Sequence, residues 1–398
     1  MSRKRRLKKA LRLLLIVTTG LTVAIVIIIF SIGPAFIAKR FNPVGNQELQ
    51  VITQESQKLH ESLTIVDLHA DSLLWGRDLS RLSDYGHVDI PRLIQGNVAL
   101  QIFTCVTKVP SNLSLEGNTS DSDNITKLAI LQRWPFPAWF SLAERAIYQA
   151  KQLQALEKKI PDKFKVIKTQ EDLKDYLVQK EADQIMTAGL LGIEGAQALE
   201  GKIDNINRLY DQGFRIIGLS HFFDNEVASS AHGVNDIGLT SFGKDVIKRM
   251  EELNIIVDLA HASSQTIDDV LQITKHPVLV SHTGVKGTCD NGRNLSDRQL
   301  KQIAQTGGII GIGFWKTAVC GDKVEDIIKA FRYVSDKVGI DHVALGSDFD
   351  GSVRVPFDVS HMNQITQGLK EEGFTEAEIK KIMGLNVIHL LQKYLPQE

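Results

Sequence analysis

Cysteine is scarce in this 398-residue chain: Cys105, Cys289 and Cys320 are the only three, and none belongs to a CxxC pair. Three is too few, and odd, for a disulfide scaffold, and so small a number leaves the redox compartment unread. Cys105 reads as a buried thiol, and Cys289 and Cys320 as loop residues that either pair or stay free. Excess charge is missing too: 46 basic against 47 acidic side chains give a net −1, with no overall electrostatic reason to expect nucleic acid as a partner. No GxSxG elbow, P-loop or HExxH helix is present, and Gly307, Gly308, Gly311 and Gly313 come in the wrong order for a dinucleotide fingerprint. They read instead as small residues packing inside a strand. What is abundant is ordinary: 43% apolar and 23% charged residues exclude disorder, collagen and coiled coil.

The near-neutral total hides two unlike parts. Residues 1–40 hold nine of the basic residues and no acidic one, which leaves the remainder of the chain acidic. From Leu13 to Ala38 no charge occurs, enough for a helix to cross roughly 30 Å of hydrocarbon. Seven cations precede that stretch and only Lys39 and Arg40 follow it, so the positive-inside bias predicts a cytoplasmic N-terminus and an extracytoplasmic remainder, periplasmic or extracellular. A cleaved signal peptide is the competitor, but the apolar run exceeds the usual h-region and Phe36-Ile37-Ala38 is a poor cleavage site. The expected organisation is a basic segment at 1–12, a transmembrane anchor at 13–38, a connecting segment at 39–62 that is helical over 44–62, and one catalytic domain at 63–398.

Within that domain, short β-branched runs alternate with amphipathic segments. The runs are Thr64–His69, Val98–Thr104, Thr187–Glu194, Phe214–His221, Ile255–His261, Pro277–His282, Gly308–Phe314 and His342–Asp348. Between them, Ser141–Lys158, Asn205–Gln212, Ser241–Leu253, Ser264–Thr274, Ser296–Thr306 and Val324–Lys337 carry apolar residues at three-and-four spacing. Eight such units predict an α/β fold, a (β/α)8 TIM-type barrel with insertions, preceded by one transmembrane helix. Val109–Asn124 reads as a loop, and its three sequons at Asn112, Asn118 and Asn124 fit chance in an Asn/Ser-rich stretch.

Four of the eleven histidines, His69, His221, His261 and His282, end predicted strands. A barrel gathers residues at the C-terminal ends of its strands, so these converge, and Asp71, Glu194, Asp348 and Asp350 join them. In His69-Ala70-Asp71 both side chains point to one side of an extended chain. Imidazole and carboxylate without thiolate are the ligand set of a catalytic zinc or a similar divalent ion. His60, His87, His232, His276, His342, His361 and His389 read as solvated or capping, with His232 the least settled.

The motifs Asp67-Leu68-His69-Ala70-Asp71, Gly192-Ile193-Glu194-Gly195, Leu219-Ser220-His221, Asp258-Leu259-Ala260-His261, Val280-Ser281-His282, Gly292-Arg293-Asn294 and Gly346-Ser347-Asp348-Phe349-Asp350-Gly351 together resemble the renal or membrane dipeptidase family. Its members are zinc dipeptidases on amidohydrolase-like barrels. The resemblance implies two Zn2+ per chain: His69, Asp71 and Glu194 hold one, Glu194, His261 and His282 the other, with Glu194 bridging. It further implies that a hydroxide between the ions attacks the scissile carbonyl, that Asp348 moves the proton, that His221 steadies the oxyanion, and that Arg293 binds the free carboxylate of a dipeptide substrate. A homodimer is left open. Where the family commonly has a second Gly and a His after the bridging Glu, this chain has Ala196 and Gln197, and Phe222-Phe223-Asp224-Asn225-Glu226 replaces its usual Asn- and Trp-containing loop. These departures bear on substrate choice. They keep two alternatives: a related amidohydrolase acting on another amide, lactam or ester, and a surface binding protein on a retired barrel.

Overall fold

The structure, a computed structural model, describes residues 3–182 and 185–397. Among these, nine strands form one sheet: β1 (Ile65–Ala70), β2 (Val98–Val106), β3 (Phe164–Val166), β4 (Thr187–Glu194), β5 (Phe214–Gly218), β6 (Ile256–Asp258), β7 (Leu279–Thr283), β8 (Ile309–Ile312) and β9 (Val343–Leu345). All pairings are parallel. Because β2 pairs with both β1 and β4, and β1 pairs with β9, eight strands close into a barrel. The ninth, β3, lies outside the ring, paired with the first half of β4 while β5 takes the second half.

The strands are apolar almost throughout and buried on both faces, as parallel strands covered by helices must be. Alternate residues Val66 and Leu68, Leu100 and Ile102, Ala188 and Leu190 share an apolar cluster with Val387, Ile388 and Leu391 of the helix Asn386–Tyr394, which closes one end. Residues of the other parity, Ile65, Phe103 and Leu191 among them, pack outward against the surrounding helices. The helices begin where side chains can accept the first free amides. Ser141 caps Leu142–Lys159, Ser263 caps Ser264–Ile273, and Ser296 makes a capping box with Gln299 ahead of Asp297–Gln305. Gly311 and Gly346 allow a close approach of backbones, since a Cβ on either would come within 2.2 Å of the Ser281 carbonyl oxygen.

The connecting segment differs from expectation. Its helix covers only Gln54–Glu61, capped by Thr53, because the residues before it find partners elsewhere: Val44 bridges to Val355, and Gln50 exchanges hydrogen bonds with Gln364. The N-terminal helix runs from Arg3 to Phe41, beyond both ends of the uncharged stretch, and among the described residues it alone is long and apolar enough to cross a membrane. Cys289 and Cys320 pair in a disulfide and Cys105 is a buried free thiol.

Candidate metal centre

Four of the sequence-predicted strands stop early, and residues past the ends of three of them help build the site. His221, His261 and Asp348 each stand three residues beyond the last residue of β5, β6 and β9. His261 (φ 62°) and Asp348 (φ 63°), past the ends of their strands, adopt the left-handed conformation, uncommon for residues with a Cβ, and their side chains join the cluster. His69 and His282 lie within β1 and β7, Glu194 ends β4, and Asp71 follows β1 directly. All seven side chains are buried.

Glu194 is the hub. Its Oε1 lies 2.9 Å from His261 Nε2, 3.5 Å from His282 Nε2 and 3.6 Å from His69 Nε2, while Oε2 lies 3.0 Å from His221 Nε2. His261 and His282 bring their Nε2 atoms to 2.9 Å of one another, and His69 Nε2 stands 3.5 Å from Asp71 Oδ1 and 4.0 Å from Asp348 Oδ1. Two nitrogen or oxygen donors at the usual distance from one tetrahedral zinc stand about 3.3 Å apart. The contacts of both ligand trios inferred above cluster around that spacing. Ligand atoms also gather as Glu194–His221–His261 and His69–Asp71–Asp348, so His221 and Asp348 belong to the same cluster.

The donor chemistry fits a cation. His69 Nε2 is buried with no hydrogen-bond partner, although its neighbours are carboxylates, and an unsatisfied buried nitrogen is costly unless something binds it. Burial and the nearby Asp71 push Glu194 well above the usual carboxylate range, and burial raises Asp348 to about 8 despite the opposing pull of His69. Burial alone would lower His69, but Asp71, Glu194 and Asp348 outweigh it and raise the imidazole to about 10. Burial, aided by neighbouring positive groups, drives His221, His261 and His282 well below their ordinary value, leaving them neutral and able to donate lone pairs. Three carboxylates crowded out of water are the arrangement a divalent ion relieves.

Polar groups behind the cluster fix it. Ser281 Oγ lies 3.1 Å from His69 Nδ1 and 3.0 Å from His282 Nδ1, turning both Nε2 atoms toward Glu194. Asp67 accepts hydrogen bonds from the amide (2.9 Å) and hydroxyl (2.7 Å) of Ser347, tying the strand that carries His69 to the one leading to Asp348. Gln197, one of the departures, donates to the Glu194 carbonyl at 3.0 Å and lies against Asn225 at 3.4 Å, so it braces the loop behind the hub.

The cluster opens into a cavity of about 290 Å³, lined also by Phe41, Leu113, Leu115, Phe222, Arg293 and Trp315. Arg293 Nη2 donates to the His282 carbonyl at 2.6 Å, and its Nε is buried without a partner. The loop that carries it is held by the Cys289–Cys320 disulfide and by Asn294, which bonds Cys289, Gly284 and Ala318.

Three histidines expected to be solvated or capping are buried. His60 bonds Thr366 and the Gly96 carbonyl, and His87 Nδ1 accepts from the Asp350 amide. His232 lines the site cavity, its ring 5.2 Å from that of His261 and its Nδ1 bonded to the Leu115 carbonyl. Its only sequence signal was its place in the loop after His221. Asp350 is not part of the cluster: Arg77 pairs with it, and Ser72 and the His87 amide donate to it.

A closed parallel barrel that collects imidazoles and carboxylates at its strand ends defines a metal-binding barrel of the hydrolase type. The chain belongs to the membrane dipeptidase family, peptidase family M19, whose sequence model matches residues 53–395. Dipeptidase tcpJ of Claviceps purpurea is 28% identical over 318 residues, covering 77% of this chain and 69% of its own length. A protein of Schizosaccharomyces pombe called uncharacterized dipeptidase C965.12 is 25% identical over 376 residues, 87% of this chain and 84% of its own. In fold, the chain matches a metallo peptidase from Rhodobacter sphaeroides liganded with a phosphinate mimic of the dipeptide L-Ala-D-Ala, with a TM-score of 0.70 and 22% identity over 83% of this chain and 99% of that one.

Proposed function

We propose that the protein is a membrane-anchored, zinc-dependent dipeptidase that cleaves dipeptides with a free C-terminal carboxylate. The observation that carries it is the Glu194 carboxylate shared between the imidazoles of His261 and His282 on one side and His69, next to Asp71, on the other. In this reading His69, Asp71 and Glu194 hold one zinc, and Glu194, His261 and His282 the second. Two such ions would acidify a shared water to hydroxide near neutral pH and polarise the scissile carbonyl.

The remaining steps fall to the chain's own side chains. Asp348, whose Oδ1 stands 4.0 Å from His69 Nε2 at the cluster, is placed to take a proton, as the carboxylate, from the attacking water and return it to the leaving amine. His221 offers a fixed N–H to the oxyanion as the carbonyl becomes tetrahedral. Arg293 presents its planar fork to the substrate carboxylate at the cavity wall. The Rhodobacter relative's ligand mimics a dipeptide, and a cavity of about 290 Å³ accommodates little more. Phe222 and Trp315 bound this space and set side-chain preference.

The same proposal places residues 1–12 in the cytoplasm, 13–38 across the membrane, 39–62 as a connector and the barrel at 63–398 outside. The sole long apolar helix among the described residues and its basic N-terminal flank support that orientation. The test is Asp348→Asn: it should keep its metal and lose about 10²–10⁴ of dipeptide turnover. Full turnover in that variant would remove Asp348 from proton transfer.

A further inference from the structure

Of the helix Arg3–Phe41, the residues from Lys4 to Ile29 stand exposed, whereas Phe30, Gly33, Pro34, Ala35, Ile37 and Ala38 are covered in whole or part. Their spacing of three to four residues marks one helix face, seated on the helix Asn124–Leu131 and the turn Ser72–Trp75 of the catalytic domain. Leu131 packs against Gly33, with its Cδ1 3.4 Å from where a Cβ would stand. Arg133 donates to the Phe30 carbonyl at 3.2 Å and lays its guanidinium 5.7 Å from the centre of the Phe30 ring.

Length decides how deep this seat lies. The uncharged helix outside it, Leu13–Ile29, has seventeen residues and reaches about 25 Å, short of the roughly 30 Å of a hydrocarbon core. The missing turn is Phe30–Gly33, and Leu131 and Arg133 lie beside it. Just beyond, Phe136 (66% exposed), which lies between two prolines, and Phe140 (73% exposed), which follows Trp139, present their rings to solvent 5.0 Å apart. Exposed aromatics beside an arginine, at the level where a spanning helix leaves hydrocarbon, have the composition of the membrane interface.

We propose that the turn Arg133–Phe140 is a second membrane contact: Phe136 and Phe140 sit in the headgroup layer of a phospholipid bilayer and Arg133 meets lipid phosphate. The catalytic domain then lies on the bilayer in a fixed pose instead of swinging on a tether. Phe41, the last residue of the same helix, lines the site cavity with Leu113 and Leu115. Eleven residues above Phe30, it holds the cavity mouth about 16 Å along the helix from that residue, which favours short peptides that partition to the membrane surface. This docking presupposes that the helix spans the membrane, as proposed above.

The experiment uses the full chain reconstituted in phosphatidylcholine–phosphatidylglycerol vesicles whose acyl chains carry bromine near the headgroup or near the bilayer centre. Tryptophan emission is compared in Phe136→Trp, Phe140→Trp, Val23→Trp and Val178→Trp, against the native chain in each lipid. Val178 is exposed on the helix Gln170–Ala182, which packs on the C-terminal helix Asn386–Tyr394. The added emission at 136 and 140 should fall about twofold with bromine near the headgroup, as expected of interfacial aromatics, with position 23 quenched from the centre and position 178 unaffected. Quenching at 23 without quenching at 136 and 140 overturns the docking and leaves the span standing. No quenching at 23 overturns both, and equal quenching at 178 replaces a specific rim with general adsorption.

Discussion

The hydroxyl of Ser281 stands 3.1 Å from Nδ1 of His69, joining two barrel strands, β7 and β1, that are not neighbours in the sheet. It also lies 3.0 Å from Nδ1 of His282. One small side chain therefore sets the tautomer and tilt of two imidazoles whose Nε2 atoms face Glu194. Ser281→Ala leaves the cluster's members in place but frees both rings. Metal affinity should fall about 10- to 100-fold, the usual cost of losing a partner behind a ligand. Competition with a chelator of known affinity measures it, and an unchanged affinity would show that the rings are held by packing alone.

Arg293 is fastened through Nη2 to the His282 carbonyl, and its Nε remains without a partner at the cavity. Burial lowers the guanidinium only to about 10, so it stays charged at physiological pH. Arg293→Ala should raise KM about 10- to 100-fold for free dipeptides, as expected for losing a charge-assisted hydrogen bond, with a smaller effect on kcat. Dipeptide amides, lacking the carboxylate, should lose much less. Equal losses on both substrates would mean that Arg293 does not recognise the C-terminus.

His60 gives the fold an acid limit. Burial lowers its imidazole to about 4, and it is neutral between Thr366 and the Gly96 carbonyl. Since the folded value lies below the unfolded one near 6.5, the unfolded chain takes up the proton first. The contribution of His60 is complete above about pH 6.5 and is lost as pH falls toward 4, on the order of 3 kcal/mol in all. Unfolding midpoints measured across this range should drop toward acid, and His60→Gln should flatten that part of the profile. The same slope in both proteins would place the acid sensitivity elsewhere.

Strand ends were the most legible feature of the chain, because parallel buried strands are continuous apolar runs and each of those at His69, Glu194, His221, His261 and His282 closes on a polar side chain. Convergence then follows from the barrel itself. Less legible was where pairing stops: nothing in the residues preceding His261 or Asp348 signals that the strands end three residues early or that these two positions turn left-handed. The strand Phe164–Val166 was missed, since three residues carry no periodicity. His60 and His87 read as surface residues because their partners, Thr366 and Asp350, lie about 300 and 260 residues away. His232 comes from a loop with no pattern of its own and reaches the site only because Asn118 and Asp224 pin that loop.

The shared carboxylate of Glu194 is the centre of this account, and counting ions tests it most directly. Elemental analysis of the purified full chain, loaded with zinc and freed of excess, should give about two ions per chain, falling to one or fewer in Glu194→Gln because a single amide oxygen cannot bridge two cations. Two ions in the native protein and two in the variant, or one in both, would contradict the bridged pair.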